Sequence, residues 1–200
     1  VKNVSFKVHR GEILSVAGID GNGQTELVGG ITGLDKITKG KAFVLNEDIT
    51  DLSIRKRNTD FISHIPEDRH KHGLVLDFPL MDNIALMRYF EPGFQHHGFI
   101  EREKIRTYAE GLIDEYDVRC AEGPQTVTRS MSGGNQQKAV IAREFDRGRP
   151  LIIAVQPTRG LDVGAIEYIH SQIVKKRDEG HAVLLVSLEL DEVMNLSDRI

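Results

Sequence analysis

Two rhythms of hydrophobic and polar positions run along the chain. Short apolar runs or alternations, the mark of strands, occur at residues 4–8, 12–17, 41–45, 61–65, 151–155 and 181–187. Residues 151–155, Leu-Ile-Ile-Ala-Val, are apolar without a break, as a strand buried on both faces of a parallel sheet requires. Helical spacing takes over elsewhere. Residues 25–31 open a helix after a glycine-rich stretch, and the residues near Ile54 lean helical. Residues 81–90 and 101–116 predict two more helices, the second with Ile105, Tyr108, Leu112 and Ile113 on one face. Ile166, Ile169, Ile173 and Val174 mark another amphipathic helix, and a short acidic one starts from Glu189. Residues 91–98 carry the breakers of a loop. Strands alternating with helices predict an α/β fold with a mainly parallel sheet. The middle of the chain reads as a helical insertion: 1–77 is the first part of the core, 78–147 the helical subdomain, and 148–200 the rest of the core.

Composition narrows the classes. Apolar residues make up 40% and charged residues 28%, as in an ordinary globular domain. A net charge of −4 argues against nucleic-acid binding by bulk electrostatics, and the basic triplet Arg55-Lys56-Arg57 reads as a solvated helix end. Cys120 is the only cysteine, so no intrachain disulfide forms, which fits a reducing cytosolic setting. No apolar run approaches 18 residues, so the chain does not cross a bilayer as a helix by itself. Both ends read as cut, and a fragment of a longer polypeptide is expected.

Two motifs carry chemistry. Gly18-Ile-Asp-Gly-Asn-Gly-Gln-Thr25 matches the phosphate-loop pattern except at its lysine, which is Gln24. The backbone N–H groups of such a loop, backed by a helix N-terminus, cradle phosphates. Asp20, Gly21, Asn22 and Gly23 belong to that cradle, and the Thr25 hydroxyl can face Mg²⁺ weakly. Replacing a cation by a neutral amide removes a charge-assisted contact and weakens ATP by roughly 10- to 100-fold. A dinucleotide fingerprint fails because Glu26 stands where its third glycine belongs. Met131-Ser-Gly-Gly-Asn-Gln-Gln-Lys138 is the stronger signal: Ser132 is a good N-cap, and Gly133 and Gly134 leave the first turn bare for close approach by a phosphate. Ser132 is no hydrolase nucleophile, since Arg129-Ser130 precede Met131 and break the nucleophile-elbow pattern.

In this order the motifs resemble the nucleotide-binding domains of ABC transporters over nearly the whole chain. Residues 18–25 take the Walker A position, 132–136 the signature, and 151–156 the Walker B position; residues 157–164, Pro-Thr-Arg-Gly-Leu-Asp-Val-Gly, take the D-loop region. The runs 135–138 and 157–164 look like the bacterial simple-sugar and nucleoside importer branch. Residues 18–27 look like the second ATPase half of its nucleoside-type members. The resemblance implies a P-loop NTPase-type core with an inserted signature subdomain, ATP with Mg²⁺, and a second ABC ATPase domain in the same or another chain. It also implies a transmembrane permease, no nucleic acid, and a peripheral place on the cytoplasmic face of the plasma membrane.

Against that family's pattern, four positions weaken one site. Walker B ends in Val155-Gln156 where the family has Asp-Glu, Leu188 takes the place of the switch histidine, and Gln24 replaces the loop lysine. Neither valine nor a neutral amide can serve as a proton-accepting base. Glu67 stands in the Q-loop glutamine position, which places a carboxylate near the metal region. The signature is intact. Because ABC domains pair head to tail, the resemblance implies that Ser132, Gly133, Gly134 and Gln136 serve a nucleotide held by a partner, with Asp162 at the interface. Little hydrolysis is expected from this chain alone. The rival readings are a soluble ABC-type ATPase and a non-hydrolytic interaction module. His64, His70, His72, His96 and His97 lack a recognisable ligand frame, and Glu115, Asp117, Glu189, Asp191 and Glu192 read as helix surface charges.

Overall fold

The computed structural model describes residues 1–200. Two units emerge, one of residues 1–67, 148–157 and 170–200 and the other of residues 68–147 and 158–169. The second unit takes in more chain than the 78–147 segment read from the sequence.

The first unit is built on four parallel strands, β1 (Ile13–Ala17), β4 (Ile62–Ile65), β7 (Leu151–Val155) and β8 (Ala182–Ser187), in the order β1-β8-β7-β4. Between β1 and β4 lie the helix α1 (Gln24–Thr32), a hairpin of β2 (Phe43–Val44) and β3 (Glu47–Asp48), and α2 (Ile54–Asp60). The centre of the sheet belongs to β7 and β8, the two most continuously apolar runs, and every residue of β8 is buried. Alternate residues of the two strands, Ile153 and Val155 with Leu184 and Val186, share one face. They pack with Val28 of α1 and Val44 of β2. Leu45 and Asn46 both take positive φ, as a two-residue hairpin turn requires.

Three sequence expectations are corrected here. Residues 4–8 form no strand: they alternate correctly, but no neighbouring strand pairs with their N–H and C=O groups, and Val4 and Phe6 stay exposed. Arg57 is no solvated helix end, being 3% exposed. Its guanidinium donates to the carbonyls of Gly30 and Ile31 at 2.7 Å, in the last turn of α1, and to Leu52 and Thr50. Burial lowers its pKa, and the helix-end carbonyls that α1 leaves unpaired accept its protons. Glu192 is 4% exposed, not a surface charge. It lies on α7 (Leu190–Leu196), and His170 Nε2 meets its Oε1 at 3.0 Å. His170 lies on α6 (Val163–Asp178), whose first part belongs to the other unit.

The second unit is helical: α3 (Leu80–Ala85), α4 (Arg102–Glu115) and α5 (Gly133–Asp146), with a hairpin of β5 (Gln95–His96) and β6 (Phe99–Ile100). Its core holds Leu80, Ile84, Ile105, Leu112, Val140, Ile141 and Phe145, so the apolar face around Met81 is interior. α3 stops well short of residue 90, because three-residue turns at Arg88 and Glu91 lead into Pro92, which disfavours helix before it. A buried triad ties α5 down: Glu144 accepts from Arg143 at 2.9 Å and from Arg147 at 2.5 Å, and Arg143 also donates to the Gly73 carbonyl at 2.8 Å.

Candidate functional site

Parallel strands present all their carboxyl ends along one edge, and ligands of open α/β sheets bind there. In the first unit the registers Ala17↔Ser187, Val155↔Val186 and Ile65↔Ala154 align the four exits. The residues that leave them are the Gly18–Thr25 loop, Leu188, Gln156 and Glu67. Four segments scattered over the sequence therefore meet at one edge.

The loop has the backbone of a phosphate cradle. Gly21 and Gly23 have φ of 83° and 97°, the left-handed region that glycine enters without strain. Gly23 caps α1 with no side-chain hydrogen bond, which leaves first-turn N–H groups directed outward. Gln24 folds back over this loop: its Nε2 donates to the Ile19 carbonyl at 3.1 Å, and its Oε1 accepts from the Asn22 N–H at 3.2 Å. A Cβ on Gly18 would meet the Gln24 amide, so the bare glycine leaves room for the fold-back of that side chain. Asp20, Asn22 and Thr25 are exposed, and no basic side chain stands within residues 18–25.

The β7 exit carries no carboxylate of its own. Val155 is 7% exposed and packs into the apolar layer with Val28 and Val186. Gln156 takes φ of 44°, unusual for a residue with a side chain, and its N–H donates to the Val186 carbonyl at 2.7 Å. Its Nε2 donates to Glu67 Oε1 at 3.0 Å, which joins the exits of β7 and β4. Leu188 is half-buried beside the β8 exit.

The tip of α5 in the second unit is built differently. Ser132 is exposed and caps the helix: its Oγ accepts from the Asn135 N–H at 3.4 Å and from Asn135 Nδ2 at 2.9 Å. Asn135 Oδ1 in turn accepts from the Arg119 N–H at 2.9 Å, so the cap is braced from a second direction. Both glycines have close neighbours. A Cβ on Gly133 would lie 2.9 Å from Arg69 Nη2, and one on Gly134 would lie 3.1 Å from Ala165 Cβ. Asp162 caps α6, its Oδ1 accepting from the Ala165 N–H at 2.9 Å. Gln136 is not presented at this tip: it is 5% exposed, its Nε2 donates to the Thr128 carbonyl at 3.0 Å, and its Oε1 lies 2.8 Å from His70 Nε2.

Sequence reasoning missed Arg69, which leans on Gly133 and donates to the Arg159 carbonyl at 3.2 Å, with a pKa lowered by burial. Nothing in its immediate sequence signals that placement. A family model described as ABC transporter matches residues 1–159. The chain belongs to the ABC transporter family. Among curated ABC proteins, it is 54% identical over 200 residues to the nucleoside import ATP-binding protein NupA of Lactococcus lactis subsp. cremoris, covering 100% of this chain and 39% of that protein. It is 51% identical over 200 residues to the guanosine import ATP-binding protein NupO of Bacillus subtilis, again covering 100% of this chain and 39% of the other. Against the ribose import ATP-binding protein RbsA of Bacillus cereus, identity is 39% over 203 residues, covering 100% of this chain and 40% of that protein. The chain thus spans well under half the length of these ABC relatives. A solved dimeric bacterial ABC transporter cassette superposes with a TM-score of 0.82 at 25% identity, covering 100% of this chain and 84% of the other. A dimeric ATP-binding cassette bound to ADP and Pi gives a TM-score of 0.79 at 26% identity, covering 96% of this chain and 81% of that one.

Proposed function

We propose that this chain is the second, degenerate ATPase domain of a nucleoside or simple-sugar importer, and that its main chemical duty is to complete a partner's ATP site. Support comes from one contrast: Gln24 and Gln156 at its own strand exits are neutral and bonded within the chain, while Ser132 caps a braced, exposed helix tip. The printed names of the relatives, nucleoside, guanosine and ribose import proteins, support the substrate class.

The residues at this chain's own edge fit a hydrolytic Mg²⁺ site poorly. Val155 offers no ligand, Gln156 no base and Gln24 no positive charge, so a nucleotide here relies on the loop N–H groups and Thr25. At the α5 tip, the Ser132 hydroxyl and the N–H groups of Gly133 and Gly134 offer neutral donors backed by a helix dipole. Such donors stabilise charge on a transferring phosphoryl group. Gln136 is left out of this role because its amide is turned inward. Asp162 holds the start of α6 and stands at the domain interface. The domain works on the cytoplasmic face of the membrane, docked on a permease.

The test is the ATPase rate of the assembled transporter carrying Ser132→Trp. Turnover falls at least about 100-fold if the tip completes the catalytic site, as when transition-state donors are removed. Turnover within about twofold of wild type refutes the assignment.

A further inference from the structure

On the sequence, Glu67 and Gln156 count as two separate departures from the family pattern. We propose that they are one: an exchanged pair whose identities are coupled, so that this edge takes a carboxylate at one position and an amide at the other. The inference rests on reading 67 and 156 as the Q-loop and Walker B positions.

Strand register makes them neighbours. β4 and β7 pair in parallel with Ile65 opposite Ala154, so the residues two past each of those partners leave the sheet side by side. The left-handed backbone at Gln156, fixed by its N–H bond to Val186, restricts where that side chain can go, and its Nε2 reaches Glu67 Oε1 at 3.0 Å. A carboxylate only accepts and an amide N–H donates, so this pair is satisfied as it stands. A glutamine at 67 with a glutamate at 156 would make the same donor–acceptor pair with its direction reversed. Two carboxylates at this separation are a different matter, because like charges at hydrogen-bond distance force one group to hold a proton. Restoring glutamate at 156 alone therefore yields a strained, proton-sharing dyad rather than a catalytic base. Repair of the Walker B position requires Glu67→Gln at the same time.

Thermal unfolding of the full chain tests this with a four-member cycle: wild type, Glu67→Gln, Gln156→Glu and the double exchange. Gln156→Glu is isosteric, so a merely space-filling role predicts almost no change. Coupling predicts a fall in Tm of about 4–8 °C for it, a smaller fall for Glu67→Gln, and a double exchange within about 2 °C of wild type. Additive effects, with the double exchange at or below Gln156→Glu, overturn the proposal. If Gln156→Glu does not fold, a near-native transition in the double exchange supports coupling, and its absence refutes it. No nucleotide or partner enters the assay, so its outcome is independent of the Ser132 experiment.

Discussion

The carboxyl edge of the sheet and the tip of α5 are both places where backbone N–H groups converge, yet their side chains treat those donors in opposite ways. At the sheet edge the side chains bond to their own surroundings: Gln24 to its loop, Gln156 to Glu67, Val155 to the apolar layer. At the start of α5 one polar side chain is left at the surface. Ser132 stays exposed, and Asn135 behind it holds it through its amide. A site that satisfies itself has little left to offer an anion. A site braced from behind keeps its front free. The comparison also explains why glycine serves different ends in the two places: Gly18 makes room for this chain's own Gln24, Gly134 for the start of α6.

The comparison can be broken most decisively at Ser132, where the bulky substitution described above is expected to abolish turnover in the assembly while leaving the Tm of the chain within a few degrees. Next in size, Gln24→Lys should tighten Mg-ATP at the sheet edge by roughly 10- to 100-fold in a calorimetric titration, because it adds one charge-assisted contact. No change would mean that the cradle itself is not competent. Third, Arg57→Ala should destabilise the first unit by about 3 kcal/mol in denaturant unfolding, since four carbonyls lose a buried donor. An effect under about 1 kcal/mol would show that water replaces the guanidinium easily.

A smaller effect concerns pH. Glu12 accepts from Arg199 Nε at 2.7 Å and from the His9 N–H at 2.6 Å, and chiefly the Arg199 bond lowers its pKa to about 2. Because the folded-state value lies below the unfolded one, this contribution is present above about pH 4.5 and is lost as pH falls toward about 2. Solvent screens a partner as exposed as Arg199, so about 1 kcal/mol is expected at most. Glu12→Gln should flatten the acid limb of the stability curve by that amount, and an unchanged limb would assign it to other carboxylates.

Much of this was legible in the sequence, for local reasons. Strands β7 and β8 are central and covered on both faces, so their apolar runs are unbroken and easily read. The glycine loop and the Ser132 cap announce themselves because few residue types suit those backbones. What escaped reading depends on partners distant in sequence. Arg57 looks like one of three surface cations until the carbonyls of Gly30 and Ile31 arrive from another helix. Gln136 sits one helical turn past Ser132, yet the packing of α5 turns it toward Thr128 and His70. Residues 4–8 have strand periodicity and no strand to pair with, so the pattern alone is insufficient there. Glu67 and Gln156 lie 89 residues apart, and only the β4–β7 register brings them together.

The most direct measurement is single-turnover hydrolysis of Mg-ATP by this chain alone, followed across a wide range of protein concentration. Hydrolysis indistinguishable from the uncatalysed background is the expected result, since positions 155 and 156 carry no carboxylate and position 24 no cation. Rapid cleavage with a rate independent of concentration would show that Gln24, Val155 and Gln156 do form a working site, and the division between the two regions would fall.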